Sequence, residues 1–184
     1  MTTRNTLYGM INESVWVKAS KIKLLICDVD GVFSDGRIYM GNQGEELKAF
    51  HTKDGFGIKS LINAGIDVAI ITGRKSAIVE NRMTNLGIKH IYQGQEDKFV
   101  AYQELMTKFG ITPAQVAYIG DDLVDRPVIE HCGLGIAVND AHPALLLSCD
   151  YRTFTPGGFG AVRESSDLIL DSKGLLESAK GMSV

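Results

Sequence analysis

Short apolar runs alternate with longer amphipathic ones along this chain, and few folds accommodate that order. The apolar runs are Ile22–Cys27, Ile66–Ile71, Ile88–Tyr92, Val116–Ile119 and Gly135–Val138, with a weaker one near Tyr151. Between them, Lys75–Leu86 places Ile78, Val79, Arg82, Met83 and Leu86 at helical spacing, and Gly87 follows as a stop. Asp97–Phe109 has Val100, Leu105 and Phe109 with Gly110 behind it, Asp125–His131 is a short helix before Gly133, and Arg163–Leu170 is another. Thr112-Pro113 and His142-Pro143 read as helix starts, with proline at the first helical position. Strands alternating with helices predict an α/β, doubly wound (Rossmann-like) parallel sheet with helices on both faces.

Two segments stand outside the alternation. Gly36–Lys53 offers Arg37–Met40 and Glu46–Phe50 as strands around Gly41-Asn42-Gln43-Gly44, which reads as a β-hairpin inserted after the first strand. Residues 1–20 carry Leu7, Ile11 and Val15 at helical spacing and read as an amphipathic helical extension of a domain over 21–184, without a cap domain. The glycine-rich stretch from about residue 156 is expected to lead into the last helix. With 184 residues, 45% of them hydrophobic, one domain can bury a real core. A net charge of −3 argues against a nucleic-acid partner, and no run approaches a membrane span. Cys27, Cys132 and Cys149 are odd in number and lack C-x-x-C spacing, which suits a reducing, cytoplasmic setting.

Polar residues recur just beyond the strand ends. Asp28 and Asp30 follow the first strand, and Thr72-Gly73-Arg74 follows Ile66–Ile71. Lys98 follows Ile88–Tyr92 across Gln93-Gly94-Gln95. Gly120-Asp121-Asp122 follows Val116–Ile119, with Asp125 three residues on. Each signal is weak alone: D-x-D is common in solvated turns, T-G-R in helix starts, and a lysine at a helix start is usually in water. A parallel sheet brings all of them to one edge, where such sheets bind ligands. Several carboxylates without neighbouring cations call for a hard divalent cation, and oxygen-only donors point to Mg²⁺. An aspartate can attack phosphorus, a second carboxylate can move the proton, and a hydroxyl, helix-start N–H groups and an ammonium can hold phosphoryl oxygens.

DVDGV at Asp28–Val32, Thr72–Arg74, Lys98 and GDDLVD at Gly120–Asp125 resemble the motif set of the haloacid dehalogenase-like phosphatase superfamily. The longer stretches DVDGVFSDGRIYMGNQGEELKAFHTKDGFGIK, ITGRKSAIVENR, IYQGQEDK, VAYIGDDLVDRPV, VNDAHP and GGFGAVRE resemble its capless members that act on octulosonate phosphates, from about Ile22 onward. The resemblance implies a phosphoric monoester hydrolase of lipopolysaccharide biosynthesis, with a sugar-acid phosphate as its substrate. It implies Asp28 as nucleophile and metal ligand, and Asp30 as acid/base and as a ligand through its carbonyl. Asp121 would be the third ligand, supported by Asp122 and Asp125. Thr72, Gly73 and Lys98 would hold phosphate. His51, Thr52, Lys53, Asp54, Gly55, Lys59, Arg74 and Arg82 are implied as substrate contacts. Arg74 and Arg82 are eight residues apart and expected near one helix face, suited to a carboxylate. A related nonulosonate 9-phosphate is the alternative substrate. A receiver-like phospho-accepting switch is the alternative class, although in a receiver the acidic pair precedes the phosphorylated aspartate.

The hairpin also bears on assembly. Ile38, Tyr39, Met40, Leu47 and Phe50 would leave apolar surface in water on a marginal two-stranded element. Hairpins from several chains packing together would solve this, and the resemblance implies a homotetramer.

Overall fold

The computed structural model describes residues 2–181. Their elements, in chain order, are strands β1 (Thr3–Asn5) and β2 (Met10–Asn12), helix α1 (Glu13–Ala19), β3 (Leu24–Cys27), β4 (Tyr39–Met40), β5 (Glu46–Leu47), α2 (Thr52–Asn63), β6 (Asp67–Ile71), α3 (Ala77–Asn85), β7 (His90–Tyr92), α4 (Lys98–Phe109), β8 (Val116–Gly120), α5 (Arg126–Ile129), β9 (Leu134–Ala137), α6 (Pro143–Leu146), β10 (Tyr151–Arg152) and α7 (Ala161–Ser172).

Six strands form one parallel sheet in the order β10-β9-β8-β3-β6-β7. The chain winds from β3 outward through β6 to β7, then returns to β8 on the other side of β3. Strand β3 is therefore the switch point, and the crevice beyond its carboxyl end is where an open α/β sheet takes its ligand. Every residue of β3 is buried, as expected for a central strand covered on both faces. Helices α1, α2 and α7 pack together, and α4 packs on α5. The doubly wound sheet anticipated from the alternation is thus present, with strand ends shifted by a residue or two.

The first twenty residues differ from the expected helix. β1 and β2 form an antiparallel hairpin, turned at Thr6–Gly9, and only Glu13–Ala19 is helical, with Asn12 as its N-cap. Gly9 supplies the turn with φ +141°, a value that interrupts a helix. Leu7 projects into solvent while Ile11 and Val15 join the core, so the apparent helical stripe mixed a hairpin tip with a strand and a helix. The second hairpin is where it was expected but shorter: Tyr39 pairs with Leu47 and Met40 with Glu46.

Near the C-terminus, buried Glu164 of α7 organises the segment before it. Its carboxylate accepts from Tyr151 Oη at 2.6 Å, the Phe154 and Thr155 N–H groups at 2.7 and 3.0 Å, and Thr155 Oγ1 at 2.6 Å. This fixes the glycine-rich turn that follows. The Gly158 N–H donates to Val32 O at 2.9 Å, and a β-carbon on Gly157 would stand 1.7 Å from Gly31 O. The turn therefore rests directly on the loop that carries Asp30.

Candidate active site

A cavity of about 370 Å³ opens beyond the carboxyl ends of β3, β6 and β8. Asp28, Asp30, Gly36, Thr72, Gly73, Arg74, Gln95, Glu96, Lys98, Asp121, Asp122 and Val124 line it. All four sequence motifs meet here.

Asp28 follows β3 directly, and its N–H continues the ladder to Ile119 O. Its carboxylate is buried. Oδ2 lies 2.9 Å from Lys98 Nζ, whereas Oδ1 has no hydrogen bond. Lys98 is the first residue of α4, capped by Asp97, and is itself buried. Its ammonium also donates to Asp125 Oδ1 at 2.6 Å. The expectation that no cation neighbours the carboxylates is therefore corrected: a lysine too distant in sequence to be assigned a partner is folded in between two of them.

Asp125, expected only as a supporting residue, is the hub of the loop after β8. Its Oδ1 also accepts from Tyr118 Oη at 2.6 Å, and its Oδ2 accepts from the N–H groups of Asp121 and Asp122 at 2.9 and 3.2 Å. A fully buried carboxylate is stable only when so satisfied. Gly120 leaves room for it, since a β-carbon there would stand 2.4 Å from Asp125 Cγ.

Carboxylate oxygens of Asp28, Asp121 and Asp125 lie within 4.8 Å of one another. Burial and mutual repulsion push Asp28 up to about 6 and Asp121 up to about 8. Those are the signs of carboxylates crowded without a counter-charge large enough for all of them. The orphaned Oδ1 of Asp28 faces the same need, and Asp121 Oδ2 packs against Gly31, where a β-carbon would intrude to 2.0 Å. A small, hard, oxygen-seeking dication such as Mg²⁺ suits this donor set. Asp125, with both oxygens already engaged, is the least available of the three.

Asp30, expected as a ligand through its backbone carbonyl, has a different carboxylate environment. Its carboxylate is outside the cluster and pairs with Lys48 Nζ, with Arg74 Nε 3.8 Å from its other oxygen. Thr72, at the end of β6, is buried and faces the cavity with Gly73.

Of the expected substrate contacts, Asp30, Gly73, Arg74 and Lys98 line the cavity. His51, Thr52, Lys53, Asp54, Gly55, Lys59 and Arg82 do not. His51 caps α2 by accepting from the Lys53 N–H at 3.1 Å. Asp54 is buried, accepts from the Arg163 N–H at 2.8 Å, and is pushed up to about 7 by burial. Lys59 lies beside Gly181, and Arg82 sits on α3 within electrostatic reach of Asp54. Arg74 and Arg82 do not share a helix. The chain from Thr72 to Ser76 is held as a loop against residues 93–95 by Gly94 N–H to Arg74 O, Gln95 N–H to Thr72 O and Ser76 N–H to Gln93 Oε1, so α3 begins only at Ala77. Sequence reasoning passed over Lys48 altogether, although Glu46 and Lys48 share one side of a strand whose other side carries Leu47.

A parallel sheet with D-x-D after its central strand, a threonine after the next, a buried lysine and an acidic loop after the fourth defines a haloacid dehalogenase-like phosphatase. Residues 90–156 match the family model described as haloacid dehalogenase-like hydrolase. The chain is 58% identical to the 3-deoxy-D-manno-octulosonate 8-phosphate phosphatase KdsC of Yersinia pestis, over 98% of this chain and 96% of that one. It superposes on a crystal structure of the Yersinia pestis phosphatase with a TM-score of 0.98 at 57% identity, covering 100% and 99% of the two chains. A Moraxella catarrhalis 3-deoxy-D-manno-octulosonate 8-phosphate phosphatase, solved in complex with magnesium ion, phosphate ion and a KDO molecule, gives 0.89 at 44% identity over 90% and 95%. The chain belongs to the family of 3-deoxy-D-manno-octulosonate 8-phosphate phosphatases, and is a phosphoric monoester hydrolase. The receiver-like alternative falls with that membership.

Proposed function

We propose that the chain hydrolyses 3-deoxy-D-manno-octulosonate 8-phosphate to 3-deoxy-D-manno-octulosonate and phosphate, with Mg²⁺ as cofactor, as a cytoplasmic step of lipopolysaccharide biosynthesis. The observation that carries this reading is the buried, unpaired Asp28 Oδ1 at the mouth of a cavity lined by Thr72, Gly73, Lys98 and Asp121. The names of the relatives supply the substrate.

Asp28 attacks phosphorus and forms an aspartyl-phosphate as the bond from phosphorus to the sugar oxygen breaks. Asp30 gives its proton to that oxygen, which departs as the alcohol. Water then attacks the phosphorus, returns a proton to Asp30, and frees Asp28 and phosphate. Thr72, the N–H of Gly73 and Lys98 hold the phosphoryl oxygens. Asp28, Asp121 and the Asp30 carbonyl would hold Mg²⁺, which would supply charge neutralisation at the phosphoryl group. Arg74, half in solvent at the cavity wall, would meet the substrate carboxylate.

The assembly belongs to the same reading. Tyr39, Met40 and Leu47 of the hairpin are exposed, Met40 by 78% and Leu47 by 67%. Packed hairpins in a homotetramer would cover them, each roofing a neighbour's site.

Phosphate release over a panel of sugar phosphates with Mg²⁺ tests the substrate. The octulosonate 8-phosphate is expected to be preferred. Preference for a nonulosonate 9-phosphate would reassign the substrate, and the absence of release from any ester would overturn the reading.

A further inference from the structure

The hairpin contributes a buried charge to the site. The Lys48 side chain is 0% exposed, and its ammonium meets Asp30 Oδ1 and, at 3.5 Å, Glu46 Oε1. Glu46 Oε1 is buried and makes no hydrogen bond. Arg74 closes the ring from the opposite wall, 3.8 Å from both Asp30 Oδ2 and Glu46 Oε1. Both oxygens of Asp30 are therefore taken by cations, one from the hairpin and one from the loop after β6.

The two cations do not hold equally. Arg74 is half in solvent, where an ion pair constrains little. Lys48 has no water to turn to, so its three donors must be met by the acids around it.

This pairing answers a problem set by the sequence. Asp30 stands two residues from Asp28, and a dication at Asp28 and Asp121 attracts any loose carboxylate within reach. A carboxylate drawn onto the cation cannot also hand a proton to the departing oxygen. Yet the Asp30 carboxylate lies outside the acidic cluster.

We propose that Lys48 is a positioning residue: it anchors the Asp30 carboxylate to the hairpin, away from the cation site, where it can serve the leaving oxygen. The inference rests on Asp30 acting as the acid/base. It gives the hairpin a part in the chemistry of its own chain, separate from any part in assembly.

The test compares a simple alkyl phosphate, whose alcohol needs a proton to leave, with p-nitrophenyl phosphate, whose phenolate does not. With Mg²⁺ saturating, Lys48→Met is expected to lose about 10²-fold in kcat/KM on the alkyl ester and about threefold or less on the aryl ester, because kcat/KM reports the step that releases the alcohol and not the later hydrolysis common to both. Calorimetric titration of the metal-free protein with Mg²⁺ alone should give Lys48→Met an affinity equal to or tighter than wild type, since Asp30 is released toward the cation. Equal losses on both esters, or weakened Mg²⁺ binding, would assign Lys48 to the fold and overturn the proposal. If Lys48→Met does not fold by circular dichroism, Lys48→Gln, which keeps the length and one donor group, is judged by the same two measurements. Asp30→Asn on the same ester pair separates the two layers. If it shows no preference for the aryl ester in kcat/KM, the acid role of Asp30 is wrong. If it shows one and the Lys48 variants do not, only the positioning role fails.

Discussion

Lys98 Nζ stands 2.9 Å from Asp28 Oδ2 and thereby leaves Asp28 Oδ1 as the free oxygen of that carboxylate. In the proposed mechanism the lysine would orient the nucleophile as well as meet the phosphoryl group. Asp28→Asn should keep the fold and abolish turnover, because an amide does not attack phosphorus. Lys98→Met should cost about 10³-fold in kcat, as for loss of a strong oxyanion donor. It should also destabilise the chain, since Asp28 and Asp125 then lose their shared cation. Substantial turnover by Asp28→Asn with saturating Mg²⁺ would sink the mechanism.

Mg²⁺ binding should tighten as pH rises from 6 to about 8.5. A metal ligand must be deprotonated, and Asp121 in the metal-free protein holds its proton up to about 8 and Asp28 up to about 6. Both values are raised, so ionisation of these groups weakens the metal-free fold as pH climbs through the range between the ordinary carboxylate value and the folded one. Thermal unfolding with and without Mg²⁺ is the check. The stabilisation by Mg²⁺ should be larger at pH 8.5 than at pH 6, and Asp121→Ala should abolish most of the difference. A shift independent of pH would move the cation elsewhere.

Arg74→Ala should harm the octulosonate phosphate much more than p-nitrophenyl phosphate, which has no distal carboxylate to lose. A charged hydrogen bond of about 1.5–3 kcal/mol corresponds to roughly ten- to a hundredfold in kcat/KM. Equal losses on the two esters would assign Arg74 to the phosphate or to Asp30, whose Oδ2 it already approaches.

If the hairpins pack as proposed, charged substitutions on their exposed face, Tyr39→Glu or Leu47→Asp, should give a smaller particle and lower activity together. Neither residue lines the cavity of its own chain. Light scattering after size exclusion, run beside the activity assay, measures both effects. A monomeric wild-type mass with full activity would refute a shared site.

The fold and the centre of the site were legible because both depend on local signals. β3, β6 and β8 announce themselves as apolar runs, and the residue after each run must lie at the sheet edge whatever the loops do. Asp28, Thr72 and Asp121 follow from that alone, and Lys98 from its place at the start of the helix after β7. Asp125 was legible as a neighbour but not as a hub, because its importance lies in what it accepts: Tyr118 from the preceding strand and Lys98 from another element. Lys48 was hidden for the same reason. Its partner Asp30 is reached across an irregular loop, and a lysine beside a turn reads as solvated until its burial is known. The N-terminal hairpin misled because three apolar residues at four-residue spacing fit a helix, and only the φ of Gly9 breaks the pattern.

Gly157 sits against Gly31 with no room for a side chain. The loop that carries Asp30 is synthesised beside the first strand of the parallel sheet, yet one of the surfaces that shapes it follows the last strand, β10. A chain lacking the glycine-rich turn would keep Asp28 just beyond β3 but would leave the loop beside it without that support. The candidate site thus draws on chain from both ends of the sheet's sequence, and a truncation before the glycine-rich turn should cost activity even though every cavity-lining residue precedes it.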